Sequence, residues 1–293
     1  MSAIRPGHTV NHPCCSSTYQ LCLANRSLRF CGAQIVVGHN IQLGSLTLTR
    51  HLTHLLTKAD LSSMAESDYS YVNPACAEII VVRHGETAWN VDGRIQGHLD
   101  VELNDAGRQQ AVAVADRLSK EPKISAVYSS DLKRALETAQ IIASSCGELE
   151  VIKDPDLRER HLGELQGLTT REAATVSPEA YEALLSHKTN QEIPGGGESL
   201  DQLYQRCTSS LQRTGRNHKG ERVVVVTHGG VIRSLYRRAC PNRRPKGKVL
   251  NTSVNIFHLS DGEKWTIKTW GDVTHLNQTE YSQSGFGGDR TSG

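Results

Sequence analysis

The amino-acid sequence predicts an α/β protein: a single doubly wound, three-layer α/β/α domain with a mostly parallel central sheet, preceded by a disordered N-terminal extension. Three observations predict it. Two apolar runs, Glu78 to Arg83 (EIIVVR) and Val223 to Thr227 (VVVVT), have the unbroken character of strands covered on both faces. Strand-like runs alternate with segments of helical period, the order that builds parallel β-α-β units. Neither pattern is present before about Ala77, where the composition is of another kind.

Residues 1–75 contain Arg5, Arg26, Arg29, Arg50 and Lys58, no acid before Asp60, and little periodicity. That composition suits an organellar transit peptide or a disordered leader. The first places the mature protein in a chloroplast or another organelle. Initiation at Met64, the only methionine after Met1, gives a shorter cytoplasmic form. The domain is expected over 76–276 and opens on the strand Glu78 to Arg83. Asn104 to Leu118 reads as a helix, because Asn104 is a good N-cap and Ala111, Ala115 and Leu118 share one face. Ala126 to Ser130 is the second strand, Leu132 to Ser145 the second helix and Leu149 to Lys153 the third strand. Thr170 to His187 has helical character broken at Pro178, where the ring and the missing N–H interrupt the turn. The Gly-rich turn Pro194 to Gly197 leads into a helix from about Leu200 to Lys219. A helix from Val231 to Ala239 follows the strand that ends at Thr227. Val254 to Leu259 and Trp265 to Trp270 form a closing hairpin at the sheet edge. The segment 277–293, Gly-rich from Gly285 onward, reads as a flexible tail.

Composition narrows the function classes. No window of the 293 residues approaches the roughly 18 to 20 uninterrupted apolar residues of a membrane-spanning helix. The net charge is +2, but the first 59 residues hold five basic and no acidic side chains, so the body carries a slight acidic excess. Its one basic cluster, Arg237, Arg238, Arg243, Arg244 and Lys246, is too small to drive duplex binding by counterion release. Neither nucleic acid nor membrane is an expected partner. The eight cysteines form no C-x-x-C pair and follow no secretory signal, so reduced intracellular thiols are expected.

In open α/β sheets ligands bind beyond the carboxyl ends of the strands. Here one strand ends in Arg83-His84-Gly85-Glu86 and another in Thr227-His228-Gly229-Gly230. A single histidine at a strand end is most often a satisfied core residue. Two of them, each followed by glycine and one preceded by arginine, point instead to a shared anion pocket, where glycine lets backbone amides approach closely.

Arg83-His84-Gly85-Glu86-Thr87 with Asn90 resembles the signature of the histidine phosphatase superfamily, the phosphoglycerate-mutase-like group, and within it the plant phosphoglycerate mutase-like proteins of the phosphatase type. The resemblance covers about Glu78 to Leu276. It continues in order through Gly93-Arg94-Ile95-Gln96-Gly97, Leu103-Asn104 with Gly107, Ser129-Ser130-Asp131-Leu132 with Arg134, Leu157-Arg158-Glu159-Arg160 and PGGGES at 194–199. It implies a metal-independent hydrolase of a small-molecule phosphomonoester, with no cofactor. By the same resemblance His84 is the nucleophile that becomes phosphohistidine, Glu159 the general acid and then base, and His228 a second pocket histidine. Arg83 and Arg134, with Asn90, Gln96 and Gly229, are expected to bind the phosphoryl group.

The residue types suit that chemistry. A phosphomonoester carries close to two negative charges, and without a metal these must be met by fixed cations and amide dipoles. Guanidinium forks do so bidentately and stay charged. The attacking nitrogen of His84 must be unprotonated, its other nitrogen held by a hydrogen bond, for which a backbone carbonyl is expected. Glu86 is expected to orient a pocket arginine or cap the turn, and Glu198 to pair with a buried cation. Arg94, Arg158 and Arg160 are weaker candidates for substrate contact, and Trp89 is expected to pack beside the pocket. The short segment from Gly167 to Glu198 lacks the basic insertion that the resemblance associates with mutases, which favours hydrolysis over a 2,3-bisphosphoglycerate-dependent mutase. The remaining alternative is a catalytically silent binder of phospho-ligands.

Overall fold

The computed structural model describes residues 73–243, 245, 247–260 and 264–276. The expected leader and tail lie outside the described residues, apart from the few positions between 73 and 75.

Six strands form one sheet: β1 (Cys76–Arg83), β2 (Ala126–Ser129), β3 (Val151–Lys153), β4 (Arg222–Thr227), β5 (Val254–Ser260) and β6 (Trp265–Asp272), in the spatial order β3-β2-β4-β1-β5-β6. The first four of that order run parallel, and β5 and β6 close the sheet as an antiparallel hairpin. The expected α/β architecture with a mostly parallel sheet and an edge hairpin is therefore what the chain adopts.

The unbroken apolar character of the central strands has a direct cause. Successive side chains of a strand point to opposite faces, and here helices cover both. Ile79, Val81, Val223 and Val225 pack on one face against α6 (Leu200–Asn217) and α7 (Gly229–Ala239), through Leu203, Leu211, Val231 and Leu235. Ile80, Val82, Val224 and Val226 pack on the other against α2 (Asp105–Ser119) and α3 (Lys133–Ser145), through Val114, Leu118, Ala139 and Ile142. Burying each such side chain is worth roughly 1.5–3 kcal/mol, so a one-residue slip of register is strongly penalised.

The helix starts follow side-chain chemistry. Asn104 caps α2 by accepting from the Gly107 amide at 2.7 Å. Ser199 and Gln202 close a capping box on α6. The Thr170 to His187 reading resolves into α4 (Thr170–Val176) and α5 (Pro178–Leu185), broken where proline was expected to break it. These two pack with Ile95, Leu162, Leu165 and Ile193 in a small separate core. One boundary beside the strand ends and one short element differ most from expectation. The α7 helix starts at Gly229 rather than Val231, since the first turn of a helix needs no side-chain propensity when its amides are put to use. A one-turn helix α1 (Ala88–Val91), held by a Thr87–Asn90 capping box, has too few residues to show periodicity in the sequence.

Candidate active site

β1 and β4 lie side by side in register, Arg83 opposite Thr227. The next residue of each strand, His84 and His228, therefore emerges at one edge of the sheet, and their ring centres are 5.1 Å apart. His84 is buried, with Nδ1 2.6 Å from the carbonyl oxygen of Gly85. A carbonyl oxygen can only accept, so Nδ1 carries the proton and Nε2 keeps its lone pair. This is the backbone partner expected from the sequence. Burial first, then the charges of Arg134 and Arg83, hold the His84 pKa well below the ordinary 6.5, which keeps the ring neutral. Burial, Arg134 and His84 hold His228 down in the same way. His228 Nε2 lies 2.9 Å from Ser130 Oγ, and its Nδ1 has no partner among the described residues.

Two arginines face these rings with part of their hydrogen-bonding capacity unspent. Arg83 donates from Nη1 to the carbonyl of Val249 at 2.7 Å, leaving Nε and Nη2 without a partner among the described residues. Arg134, from the first turn of α3, donates to the carbonyls of Leu99 and Gly97 at 2.9 and 2.8 Å and leaves Nε without one. Burial lowers both guanidinium pKa values to about 10, so both remain cationic at neutral pH. Glu159 is buried beside them. Its Oε1 accepts from the Arg160 amide at 2.8 Å and its Oε2 from the Gly230 amide at 3.0 Å, at the start of α7. Burial raises its pKa, outweighing those two amides and the charges of Arg134 and Arg83.

The remaining expected residues border this group. Gly229 opens α7 directly after His228. Gln96 is buried with Oε1 lacking a partner among the described residues, next to Gly97, whose carbonyl receives Arg134. Asn90 is buried too, and its Oδ1 accepts from the Thr87 amide and from Asn251 Nδ2 at 3.1 and 3.3 Å, so its acceptor is committed to the scaffold. The wall between β1 and α2 admits no side chain: a Cβ on Gly85 would collide with the Gly107 carbonyl, and one on Gly107 with the Glu86 carbonyl.

The weaker candidates are mostly committed elsewhere. Arg94 pairs with Glu172 at 3.3 Å, Arg158 pairs bidentately with Asp131 at 2.6 and 2.5 Å, and Arg160 donates to the Glu198 carbonyl at 2.9 Å. Glu86 accepts from Asn104 Nδ2 at 2.9 Å, and its charge also acts on Arg83. Glu198 does pair with a largely buried cation, Arg206, at 2.7 Å. Three contributors escaped the sequence reading. Asn251 donates to the His84 carbonyl at 3.0 Å. Thr252, in the left-handed region at φ 53°, sends its amide to the Arg83 carbonyl at 3.0 Å. Arg206 is a mid-helix arginine of the kind usually solvated.

The arrangement is a buried cluster of two cations, two neutral imidazoles and a carboxyl group with donors unspent among the described residues, a set whose chemistry suits a tetrahedral oxyanion. Residues 79–273 match the profile of the histidine phosphatase superfamily, branch 1. Phosphoglycerate mutase-like protein 4 of Arabidopsis thaliana is 68% identical over 230 residues, 78% of this chain and 100% of that protein. A metal-independent phosphoserine phosphatase of the same plant is 54% identical over 218 residues, 74% of this chain and 91% of that protein. A mutant phosphoserine phosphatase from Entamoeba histolytica, solved with phosphoserine, matches with a TM-score of 0.60 at 29% identity, covering 68% of this chain and 99% of that one. Phosphoserine phosphatase from that organism is also known with 3-phosphoglyceric acid. The chain belongs to the histidine phosphatase superfamily, branch 1, and is a phosphatase of that family.

Proposed function

We propose that the chain is a metal-independent phosphomonoester hydrolase that works through a phosphohistidine on His84, with Glu159 as general acid and then general base. The observation that carries this is the Nδ1 contact of His84 to the Gly85 carbonyl, 2.6 Å, which leaves the lone pair on Nε2. Nε2 attacks phosphorus in line as the P–O bond to the leaving group breaks, and the protonated Glu159 carboxyl gives its proton to the departing oxygen. Water then attacks the phosphohistidine, surrenders a proton to the Glu159 carboxylate and releases inorganic phosphate. Throughout, the unspent N–H groups of Arg83 and Arg134 and the imidazole of His228 meet the equatorial oxygens, with Gln96, Asn90 and Gly229 bordering the group. The raised pKa of Glu159 suits its first role, because the acid must arrive protonated.

The substrate class is a small phosphomonoester. The phosphoserine phosphatase among the relatives supports phosphoserine as the first compound to assay. Rapid quenching with 32P-labelled substrate is expected to trap acid-labile, alkali-stable label on the protein and none on His84→Ala. Binding of phosphate without labelling, even from an activated ester, would instead mark a silent binder, and product formation that needs added 2,3-bisphosphoglycerate would mark a mutase. EDTA is expected to leave turnover unchanged, and loss restored by a divalent ion would sink metal independence.

A further inference from the structure

We propose that Arg206, secured by Glu198, is a positioning residue for Glu159: it fixes the backbone bearing the acid carboxyl without meeting substrate itself. This inference rests on the general-acid role given to Glu159 above.

Glu159 sits on chain with no regular structure to hold it. A short 3-10 turn (Pro155–Leu157) ends just before it, and no strand ladder or α-helix spans 158–162. Arg206, on the second turn of α6, reaches under this segment. Its Nη1 donates to the carbonyls of Asp156 at 2.8 Å and Arg158 at 2.6 Å, and its Nη2 donates to the carbonyl of Glu159 itself at 2.7 Å. The other two donors go to Glu198, Nε to Oε1 at 2.7 Å and Nη2 to Oε2 at 2.8 Å. All five N–H groups of the guanidinium are thereby used. Glu198 extends the stitching one residue further: its Oε2 accepts from the His161 amide at 2.8 Å, and its own amide donates to the His161 carbonyl at 2.8 Å.

Three carbonyls along four residues and one carboxylate are thus tied to one planar group, a task a lysine ammonium with three donors cannot repeat. The carboxyl of Glu159 gets its direction from the amides of Arg160 and Gly230, and both contacts depend on where the backbone sits. Proton transfer requires heavy atoms within hydrogen-bond reach. The pairing with Glu198 also cancels the charge of Arg206, so the clamp adds no net cation beside the acid.

The test compares leaving groups through kcat/KM, which reports the steps up to P–O cleavage. The nitrophenolate leaving p-nitrophenyl phosphate needs no proton, whereas the serine alkoxide leaving O-phosphoserine does. In Arg206→Lys and in Glu198→Gln, kcat/KM for phosphoserine is expected to fall about 100-fold, as for a 1 Å misplacement of a reacting group. For p-nitrophenyl phosphate the change should stay within about 3-fold, and adding Arg206→Lys to Glu159→Gln should cost phosphoserine no more than about 3-fold further, because the two act as one unit. Equal losses on the two esters, or no loss on either, in Arg206→Lys overturn the proposal. A Glu159→Gln variant that loses both esters alike overturns the general-acid reading instead, which separates the two failures. If circular dichroism shows that Arg206→Lys does not fold, the isosteric Glu198→Gln decides by the same criteria.

Discussion

The two ends of the β1–β4 strand pair treat charge in opposite ways. At the start of the strands Glu78 stands opposite Arg222, and the two form an ion pair. Arg222 Nη2 donates to Glu121 at 3.0 Å, and His258 Nε2 lies 2.8 Å from the other oxygen of Glu78. Both carboxylate oxygens of Glu78 are used. At the finish of the same strands Arg83 and His228 keep polar atoms with no partner among the described residues, as does Arg134 beside them. Both ends bear the cost of taking charge out of water. Only the first, which is also the less deeply buried, recovers it within the fold, so completeness of hydrogen bonding together with depth of burial separates the structural cluster from the reactive one.

That contrast can be broken or sharpened in order of effect size. Replacing His84 with Ala should cut kcat/KM by roughly 1000-fold or more with the fold retained, as expected of a nucleophile that belongs to neither of the hydrophobic clusters flanking the sheet. Normal turnover in that variant would erase the distinction. Next is Arg134→Lys, in which an ammonium cannot hold two carbonyls and still offer a fork to phosphate; kcat/KM should fall about 100-fold with the fold retained. At the other end the effect moves from rate to stability. Glu78→Ala leaves Arg222 with Glu121 as its one carboxylate among the described residues and His258 without its carboxylate, and should cost about 1–2 kcal/mol in urea unfolding, with kcat unchanged; altered kinetics there would mean that the two ends are coupled.

A further effect is read from pH. His84 and His228 are held neutral in the fold, whereas in the unfolded chain they titrate near 6.5, so stability falls as pH drops below 6.5. The slope is about 1.4 kcal/mol per histidine per pH unit. Glu159 acts with the opposite sign: its raised pKa contributes stability that is present below about 4.5 and lost as pH rises through the folded value. The double variant His84→Gln/His228→Gln should lose the two-histidine part of the acid slope in thermal melts across pH 7 to 5. An unchanged slope would show that the two imidazoles are not the groups being held neutral.

Much of this was legible in the sequence because the informative residues are neighbours in the chain. An apolar run buried on both faces announces a central strand, and the strand's end then names its own reactive residue, as with Val82-Arg83-His84 and Val226-Thr227-His228. What escaped depends on contacts distant in sequence. Asn251 reaches His84 from 167 positions away, and Thr252 occupies a left-handed conformation that no glycine advertises. Arg206 looks like a solvated helix residue until α6 is laid under the Glu159 segment. The tie of Glu86 to Asn104 escaped for the same reason, since Asn104 looked fully explained as a helix cap.

The interlocked glycines, Gly85 against Gly107 and Gly107 against Glu86, set where this enzyme can change. Backbone presses on backbone there, so a single substitution at either position has nowhere to go, and a compensating one would have to move a whole helix relative to the sheet. Change is expected to be better tolerated in α4 and α5, which rest on their own small core and whose outer faces can be resurfaced. A library confined to the exposed positions of 170–185 should yield far more folded variants than one of equal size around Gly85 and Gly107.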